Sequence, residues 1–304
     1  MNNTSAAWRD GLIGVLIFSG SLPATRVALS GFDPGFLSGA RAAIAGVLAL
    51  LVLIVLRRPW PRRGEFAALF AVAAGVVIGF PLFSALALRH ITSAQALVFI
   101  GLLPLTTAIF AVLRGGERPA LPFWLFAAMG SALVLAFAAG RRGDSPSDAG
   151  ETLAGDGWML AAIVVCGFGY AEGARLSRRF GGWQTICWAL VLVLPATLPF
   201  SLLTWPASTR DVALPAWLSL AYVSLFSMLI GFVFWYRGLA LGGIATIGQL
   251  QLLQPMSGLL LAAALLGETV TAAMLATTLA VAFCVAAARR YATPRASPAL
   301  LPSR

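Results

Sequence analysis

The sequence is poor in the residues that carry chemistry in most soluble enzymes. It has no lysine, one histidine (His90) and three cysteines, and only 11% of its 304 residues are charged. Because the phosphate-binding loop G-x-x-x-x-G-K-[ST] requires a lysine, transport driven by the chain's own ATP hydrolysis is excluded. The three cysteines stand at unrelated spacings, which predict neither a metal site nor a disulfide framework. We therefore expect no metal and no cofactor.

Long apolar stretches are what the chain has instead. Hydrophobic residues make up 60% of it, and its mean hydropathy is +0.89. A membrane-spanning helix needs about 20 apolar residues, and ten such stretches leave no room for a sizeable soluble domain. The expected fold class is an all-α integral membrane protein. The ten predicted spans are Gly11–Leu29, Phe36–Leu56, Glu65–Leu88, Ser93–Leu113, Leu121–Ala139, Gly157–Leu176, Trp183–Leu203, Leu214–Tyr236, Ala245–Leu266 and Thr271–Ala288.

The distribution of arginine predicts the orientation of these spans. If the N-terminus is cytoplasmic, 15 of the 21 arginines fall in inner connections and six at the outer side. Such an excess of positive charge marks the cytoplasmic side of a membrane protein. We therefore expect both termini in the cytoplasm, a multi-pass position in a bacterial-type cell (inner) membrane, and no nucleic-acid partner.

The chain also repeats itself at a fixed offset. Pro104 and Glu117 of "LLPLTTAIFAVLRGGE" recur 151 positions later as Pro255 and Glu268 of "LQPMSGLLLAAALLGE". Because each copy has five spans, the second copy must enter the membrane in the opposite sense. The predicted architecture is two inverted five-helix repeats, as in many secondary transporters. The predicted boundaries are 1–10 (cytoplasmic N-terminus), 11–140 (first repeat), 141–156 (extracytoplasmic connection), 157–290 (second repeat) and 291–304 (cytoplasmic tail).

The two prolines predict interrupted helices near the middle of the membrane. Pro104 and Pro255 each remove a helical hydrogen bond. The carbonyl that is left free is tolerated only beside a polar cavity or packed protein. Matching interruptions in two inverted halves point to a solute site between them. The alternative is that both prolines only kink their helices to fit the bundle.

Polar and aromatic residues near these prolines are the candidate solute contacts. Gln249, Gln251 and Gln254 precede Pro255, and Gln251 and Gln254 lie on one face if the segment is α-helical. They either contact a solute or form structural hydrogen bonds between helices. The matching first-half segment contributes Gln95 and Phe99. Aromatic candidates, which interface belts or core packing would equally explain, are Phe18, Phe83, Tyr170, Trp235 and Tyr236.

Charged residues within the spans have competing interpretations. Glu172 either pairs with Arg175, three residues on, or carries a proton coupled to transport. Arg41 snorkels to the headgroups, lines the outer mouth or attracts an anionic solute. Glu117 and Glu268 each follow a glycine at a helix end, and we predict that they cap the next helix of a tight hairpin.

These segments resemble a known family. "LIFSGSLPATRVALSGFDPGFLSGARAAIAGVLAL", the two Pro…Gly-Glu runs and "CGFGYAEGARLSRRF" are similar to the EamA family of the drug/metabolite transporter (DMT) superfamily, from about Gly11 to Arg290. The resemblance implies ten helices, an inverted repeat, a central cavity, and export of amino acids, related metabolites or toxic compounds. The family usually has Trp-Gly where this chain has Phe18-Ser19-Gly20, so Phe18 alone would supply the stacking surface there.

The expected function is therefore that of a secondary transporter that exports small metabolites by alternating access, with a small solute and the lipid bilayer as partners. A passive channel or facilitator for small polar solutes is the alternative, which electrical conductance would distinguish from saturable flux. A membrane-embedded enzyme would need paired carboxylates, a histidine or a metal cluster at one membrane face. The chain is compatible with a monomer, and a dimer stays open.

Overall fold

The computed structural model describes residues 3–115, 120–140, 146–242 and 247–291, and the regular elements within these ranges are all helical. Eight helices are long and apolar enough to cross a membrane, and two further apolar helices are shorter. The predicted all-α membrane class is thus confirmed. In chain order we number them α1 (Ser5–Ala28), α2 (Pro34–Val55), α3 (Arg63–Ala87), α4 (Ser93–Leu113), α5 (Leu121–Gly140), α6 (Gly150–Phe180), α7 (Gly182–Leu203), α8 (Leu214–Gly242), α9 (Leu250–Leu266) and α10 (Ala272–Ala288).

The helix that contains α6 is longer than its predicted span. It runs without interruption over Pro146–Phe180, 35 residues, so most of the segment predicted as a connection between the halves is helical. At a rise of 1.5 Å per residue this helix is about 50 Å long. The hydrocarbon core of a bilayer is only about 30 Å thick, so part of the helix extends beyond it.

The helices pack mainly across the two halves of the chain. Helix α1 packs on α8, α2 on α7, α3 on α6, α4 on α9 and α5 on α10. Each of these pairs joins one helix of the first half to one of the second. In the repeat, helices α1 to α5 correspond in order to α6 to α10. The α1–α8 pair therefore corresponds to the α6–α3 pair, and each of the other three pairs corresponds to itself. Two repeats related by a twofold axis produce this pattern.

Glycines bring the backbones of these pairs close together. A Cβ atom added at Gly75 of α3 would lie 2.5 Å from the carbonyl oxygen of Val165 on α6. In the symmetry-related pair, a Cβ at Gly238 of α8 would lie 2.8 Å from the backbone nitrogen of Gly11 on α1. Small residues allow such close approach between membrane helices. The backbones of α3 and α6, and those of α1 and α8, are therefore in direct contact.

The interruptions predicted before the two prolines are confirmed. Helix α4 consists of Ser93–Ile100 and Leu103–Gly115, separated by a turn at residues 101–102. Helix α9 starts within a 3₁₀ segment, Gly248–Leu252, and continues as the α-helix Leu253–Leu266. Each proline lies in the first turn of the second segment, where a missing N–H is tolerated. The break therefore comes just before the proline in both repeats.

Two further irregular segments occupy matching positions in the repeat. Helix α3 contains the π-helical segment Ala73–Gly79, and α8 contains the π-helical segment Val223–Ile230. These segments start 150 residues apart and end 151 residues apart, the offset of the sequence repeat. Helix α1 also divides in two, at Gly20. Such π segments are frequent at functional sites because they redirect side chains within a helix.

Candidate functional site

The irregular segments meet around a small central cavity. Its volume is about 20 Å³, which is room for about one water molecule. Seven of the described helices contribute to its wall. The lining residues are Phe18 and Ser21 (α1), Arg41 (α2), Val76 and Phe80 (α3), Leu103 (α4), Cys166 and Tyr170 (α6), Ser227 and Phe232 (α8), and Gln254 (α9).

Two larger pockets, of about 280 and 320 Å³, lie elsewhere, and a third, of about 140 Å³, lies between α5 and α6. The first is bordered by Ile78 and Phe200, the second by Leu218 and Leu265, and all four side chains are exposed on the surface of the helical bundle. Surfaces of this kind face lipid in a membrane protein, so acyl chains would fill both grooves. The small central cavity is the better candidate for a solute site, because a buried arginine and a buried glutamine line it.

Repeat-related residues line the central cavity in pairs. Val76 and Ser227 are 151 residues apart, and so are Leu103 and Gln254. All four contact the same cavity, which therefore lies at the interface between the repeats. In each pair the second half supplies the polar member. Outside these two pairs, the first half contributes the polar residues Ser21 and Arg41, so both halves supply polar and apolar groups.

Arg41 reaches this cavity because its helix begins at a well-defined cap. The Asp33 carboxylate accepts a hydrogen bond from the Gly35 backbone nitrogen at 2.7 Å, which starts α2 at Pro34. Arg41 lies two turns further on, about 10 Å along the helix. Its side chain is only 3% exposed, and its Nη2 donates to the Ser227 hydroxyl at 3.2 Å. The guanidinium thus lies in the cavity and not among the headgroups.

The other polar groups of the cavity are hydroxyls and an amide. Ser21 and Ser227, from α1 and α8, hydrogen-bond to each other. The Oε1 atom of Gln254 and the Nε of Arg41 are buried and have no hydrogen-bond partner among the described residues. An unsatisfied polar atom in a protein interior costs free energy until a partner arrives. Arg41 and Gln254 thus each have a buried polar atom for which a solute could supply a partner.

Aromatic rings close the cavity on the side towards the C-terminal end of α8. The ring of Phe18 lies 4.9 Å from that of Phe232, and Tyr170 lies 5.9 Å from Phe232. Trp235 packs edge-on against Phe18 at 6.4 Å, and Tyr236 lies 5.4 Å from Phe232. Of these, Phe18, Tyr170 and Phe232 line the cavity, whereas Trp235 and Tyr236 form the layer behind them.

Other residues predicted for the site are buried beside the cavity. Gln251 is 1% exposed, and its Nε2 has no partner among the described residues, but it does not line the cavity. Pro104, Pro255 and Phe99 are also buried in the helix packing. Both prolines therefore face protein and not lipid. The Gln249 side chain lies outside what the structure describes.

Two predicted candidates lie away from the cavity altogether. Phe83 stacks on Trp158 at 5.5 Å between rings. Gln95 belongs to a capping box at the start of α4, in which its Oε1 accepts from the Thr92 backbone nitrogen at 3.0 Å. The Thr92 hydroxyl in turn accepts from the Gln95 backbone nitrogen at 3.2 Å. Gln95 thus fixes the start of α4 and does not line the cavity.

Comparison with known proteins agrees with this architecture. The model of the EamA-like transporter family matches twice, at residues 11–138 and 153–288. The chain belongs to this family. The EamA family lies within the drug/metabolite transporter superfamily, and the protein is accordingly a multi-pass membrane transporter and not an enzyme.

Individual relatives of this EamA transporter are also transporters by name. It is 62% identical over 292 residues to the "Uncharacterized transporter YdeK" of Bacillus subtilis (strain 168), covering 96% of this chain and all of that one. It is 26% identical over 278 residues, 88% of each chain, to a "Probable terminal-alkyne amino-acid exporter" of Streptantibioticus cattleyicolor. A crystal structure at 22% identity shares the fold, with a TM-score of 0.61 over 95% of this chain and 98% of the other.

Glu268 caps a helix in this EamA transporter, but not the predicted one. Its Oε1 accepts from the Ser93 backbone nitrogen at 3.1 Å, and its Oε2 accepts from the Ala94 backbone nitrogen at 2.7 Å and the Ser93 hydroxyl at 2.8 Å. It therefore caps α4, in the other half of the protein, and the prediction that it caps the following helix is wrong. Thr271 serves α10 instead, accepting from the Met274 backbone nitrogen.

The physical reason is the packing of α9 against α4. Gly267 adopts a left-handed conformation (φ 63°) that ends α9. Because the C-terminus of α9 lies beside the N-terminus of α4, the carboxylate reaches across to the free N–H groups there. Glu117, the repeat-related residue, lies outside the described residues.

Buried ion pairs occupy the opposite end of the helices, where the cytoplasm is predicted. The Glu172 carboxylate, which is 1% exposed, accepts from Nη2 of Arg175 at 2.8 Å. The Asp10 side chain is fully buried, and its Oδ2 lies 3.3 Å from Nη1 of Arg237. This ion pair joins α1 to α8.

A weaker pair joins α3 to α6, since Glu65 and Arg179 are 3.9 Å apart. Asp10 and Glu65 were not predicted because both stand at the start of a span, where an acid is usually solvated. The repeat gave no signal for them, since its offsets pair Asp10 with Leu160 and Glu65 with Ala216. Both pairs hold the two halves together at the same end of the protein.

Proposed function

We propose that this EamA transporter exports a small metabolite, an amino acid or a related compound, across the cytoplasmic (inner) membrane by alternating access of two oppositely inserted halves. The observation that carries the proposal is the cavity between the repeats, with the Arg41 Nε and the Gln254 Oε1 buried and unpartnered. Ionisable and polar groups within a membrane protein are costly, and they are usually retained for function.

The size of the cavity supports a carrier that opens to one side at a time. At about 20 Å³ it cannot hold an amino acid, so a solute can enter only after helices separate at one end. At one end the halves are joined by Glu268 at the start of α4. At the other end they are joined by the Asp10–Arg237 pair. Alternate release of these two sets of contacts would expose the cavity to each side in turn.

Other observations support the proposed direction of transport and the proposed class of solute. The Streptantibioticus cattleyicolor relative is named as an amino-acid exporter, and the polar and apolar residues of the cavity suit a solute with one polar and one apolar end. The orientation with both termini in the cytoplasm rests on the arginine distribution, 15 of 21 on the inner side.

Metabolite-wide efflux from cells tests the proposal. Cells expressing the wild type are compared with empty-vector cells, with Gln254→Ala and with Gln184→Ala, a control glutamine of α7 that does not line the cavity. We expect at least one solute to appear in the medium with the wild type and Gln184→Ala, and more slowly with Gln254→Ala. Equal rates for wild type and Gln254→Ala would place the site elsewhere. Accumulation that matches the empty vector for every solute would contradict export, and single-channel conductance would contradict a carrier.

A further inference from the structure

We infer that the transported solute carries a carboxylate and that Arg41 binds it inside the central cavity. The inference rests on the proposed function, because it names the solute class of the same site. It starts from the charge of the cavity. Arg41 is 3% exposed, and among the described residues no carboxylate lies within 4.0 Å of its guanidinium. The residues that the structure places in the cavity wall include no acid.

Other buried charges in the described part of the protein are handled differently. The carboxylates of Asp10, Glu65 and Glu172 are each 8% exposed or less, and each has an arginine nitrogen between 2.8 and 3.9 Å away. Pairing is the usual way to reduce the large cost of burying a charge. Within the described ranges, Arg41 has a single hydrogen bond, to the Ser227 hydroxyl. A solute anion would supply the negative charge that no described residue places beside Arg41.

The geometry of the guanidinium indicates the kind of anion. An arginine side chain presents five N–H donors in a planar fork that matches the two oxygens of a carboxylate. One nitrogen of Arg41 is used by Ser227, and its Nε is free. Ser21 lies next to Ser227, so a hydroxyl donor is also within the same cluster. A carboxylate placed here would meet a positive charge and at least one hydroxyl.

The rest of the cavity suits the remainder of such a solute. The Gln254 Oε1 is a buried acceptor without a partner, and an ammonium or hydroxyl group on the solute would satisfy it. Val76, Phe80 and Leu103 supply an apolar wall. The site therefore favours a carboxylate with a nearby donor and an apolar side chain. A cationic solute would be repelled by Arg41, most strongly where water is excluded.

The first test needs no solute. We compare the melting temperature of the purified full-length protein with that of Arg41→Met, and of Arg210→Met as a control at an exposed arginine. A buried charge without a partner is destabilising, so Arg41→Met should melt at a higher temperature than the wild type, and Arg210→Met should not. A lower melting temperature for Arg41→Met would show that the guanidinium holds the fold together, which would overturn the inference.

The second test measures binding to the purified protein by thermal shift. The probes are the standard amino acids, the carboxamide of each, 4-methylpentanoate and inorganic phosphate. We expect at least one carboxylate to raise the melting temperature while its carboxamide does not. Arg41→Gln should weaken that binding by about 10- to 100-fold, the loss of a charge-assisted hydrogen bond, with Arg41→Lys between the two and Arg210→Gln unchanged. The inference would be overturned if no carboxylate bound, or if carboxamides or phosphate bound instead. It would also be overturned if Arg41→Gln bound the carboxylate as tightly as the wild type.

Counterflow into proteoliposomes separates this inference from the proposed function. Binding of a carboxylate that depends on Arg41, without any counterflow, would refute the proposed transport and leave the assignment of Arg41 intact. Counterflow of a neutral or cationic solute that is equally fast in the wild type and in Arg41→Gln would refute the carboxylate assignment and leave transport intact.

Discussion

Replacing Glu268 by alanine should destabilise the protein through a helix that is distant in sequence. At the start of α4 the N–H groups of Thr92 and Gln95 are satisfied by the capping box, and those of Ser93 and Ala94 are satisfied by Glu268. Removing the carboxylate therefore leaves two helix-terminal donors without their partner. Hydrogen bonds to a charged group contribute about 1.5–3 kcal/mol each, less where water can replace them. Because this carboxylate is half-buried, we expect a total loss of about 2–3 kcal/mol.

Glu268→Gln separates the charge from the hydrogen bond. The amide keeps an acceptor oxygen but loses the interaction of a negative charge with the helix dipole, which is about 0.3–1 kcal/mol. We therefore expect Glu268→Gln to cost about 1 kcal/mol, between the wild type and Glu268→Ala. The measurement is the free energy of unfolding in mixed micelles, with Glu151→Ala, at an exposed acid of α6, as the control. If Glu268→Ala and Glu151→Ala were equally stable, the contact with α4 would contribute nothing and the reasoning would be refuted.

Three further predictions follow from the packing and the repeat. Asp10→Asn should lower the free energy of unfolding by about 2 kcal/mol, because it removes the charge from a buried pair whose arginines are half-exposed. Gly75→Ala should cost about 1–3 kcal/mol, since the new Cβ would lie 2.5 Å from a backbone oxygen of Val165. Gln254→Leu should slow efflux, and adding Leu103→Gln should restore part of the rate, because the two positions are equivalent across the cavity.

Each of these predictions has a matched control. Asp33→Asn removes the charge from a pair at 3.8 Å between exposed side chains but keeps the oxygen that caps α2, and it should change stability by less than about 1 kcal/mol. Gly157→Ala adds a methyl group that meets nothing within 4 Å and should not destabilise α6. An Asp10 variant as stable as the Asp33 variant would contradict the first prediction, and a Gly75 variant as stable as the Gly157 variant would contradict the second. A double variant no faster than Gln254→Leu would contradict the third.

The fold class was predictable because the bilayer leaves few options. A chain in hydrocarbon must satisfy its backbone within helices or a closed barrel, so long apolar stretches were sufficient to predict the spans. Proline predicted the interruptions of α4 and α9 for an equally local reason. The π-helical segments of α3 and α8 carry no such signal in the sequence; in the structure they pack chiefly on α6 and α2, respectively.

The site was predictable only in part, and the two glutamines show why. Gln251 and Gln254 share a face if the segment is an α-helix with 100° per residue. The chain is 3₁₀-helical over Gly248–Leu252, where each residue turns about 120°. Such a segment keeps side chains three residues apart on one face, yet Gln254 lines the cavity while Gln251, about one turn earlier in the helix, does not. A shared face was therefore not enough to predict which glutamine reaches the cavity. Leu103, an ordinary apolar residue by sequence, became a candidate only when the cavity placed it opposite Gln254.

Glu268 shows a different limit. The local rule that an acid before a helix caps that helix is sound, but a contact 175 residues away in sequence competes with it. That contact depends on α9 lying against α4, which no local pattern reports. Leaving the N–H groups at the start of α4 without acceptors would cost free energy, and Glu268 binds this distant helix.

Labelling of Cys166 is the most direct measurement of whether the cavity opens to each side in turn. Cys166 lines the cavity and is buried, and Cys187→Ala with Cys284→Ala would leave it as the single thiol. In oriented vesicles, a membrane-impermeant thiol reagent should modify Cys166 when added from either side, and bound solute should slow the reaction from both. Modification from one side alone, or none from either, would contradict an alternating-access site between the two halves.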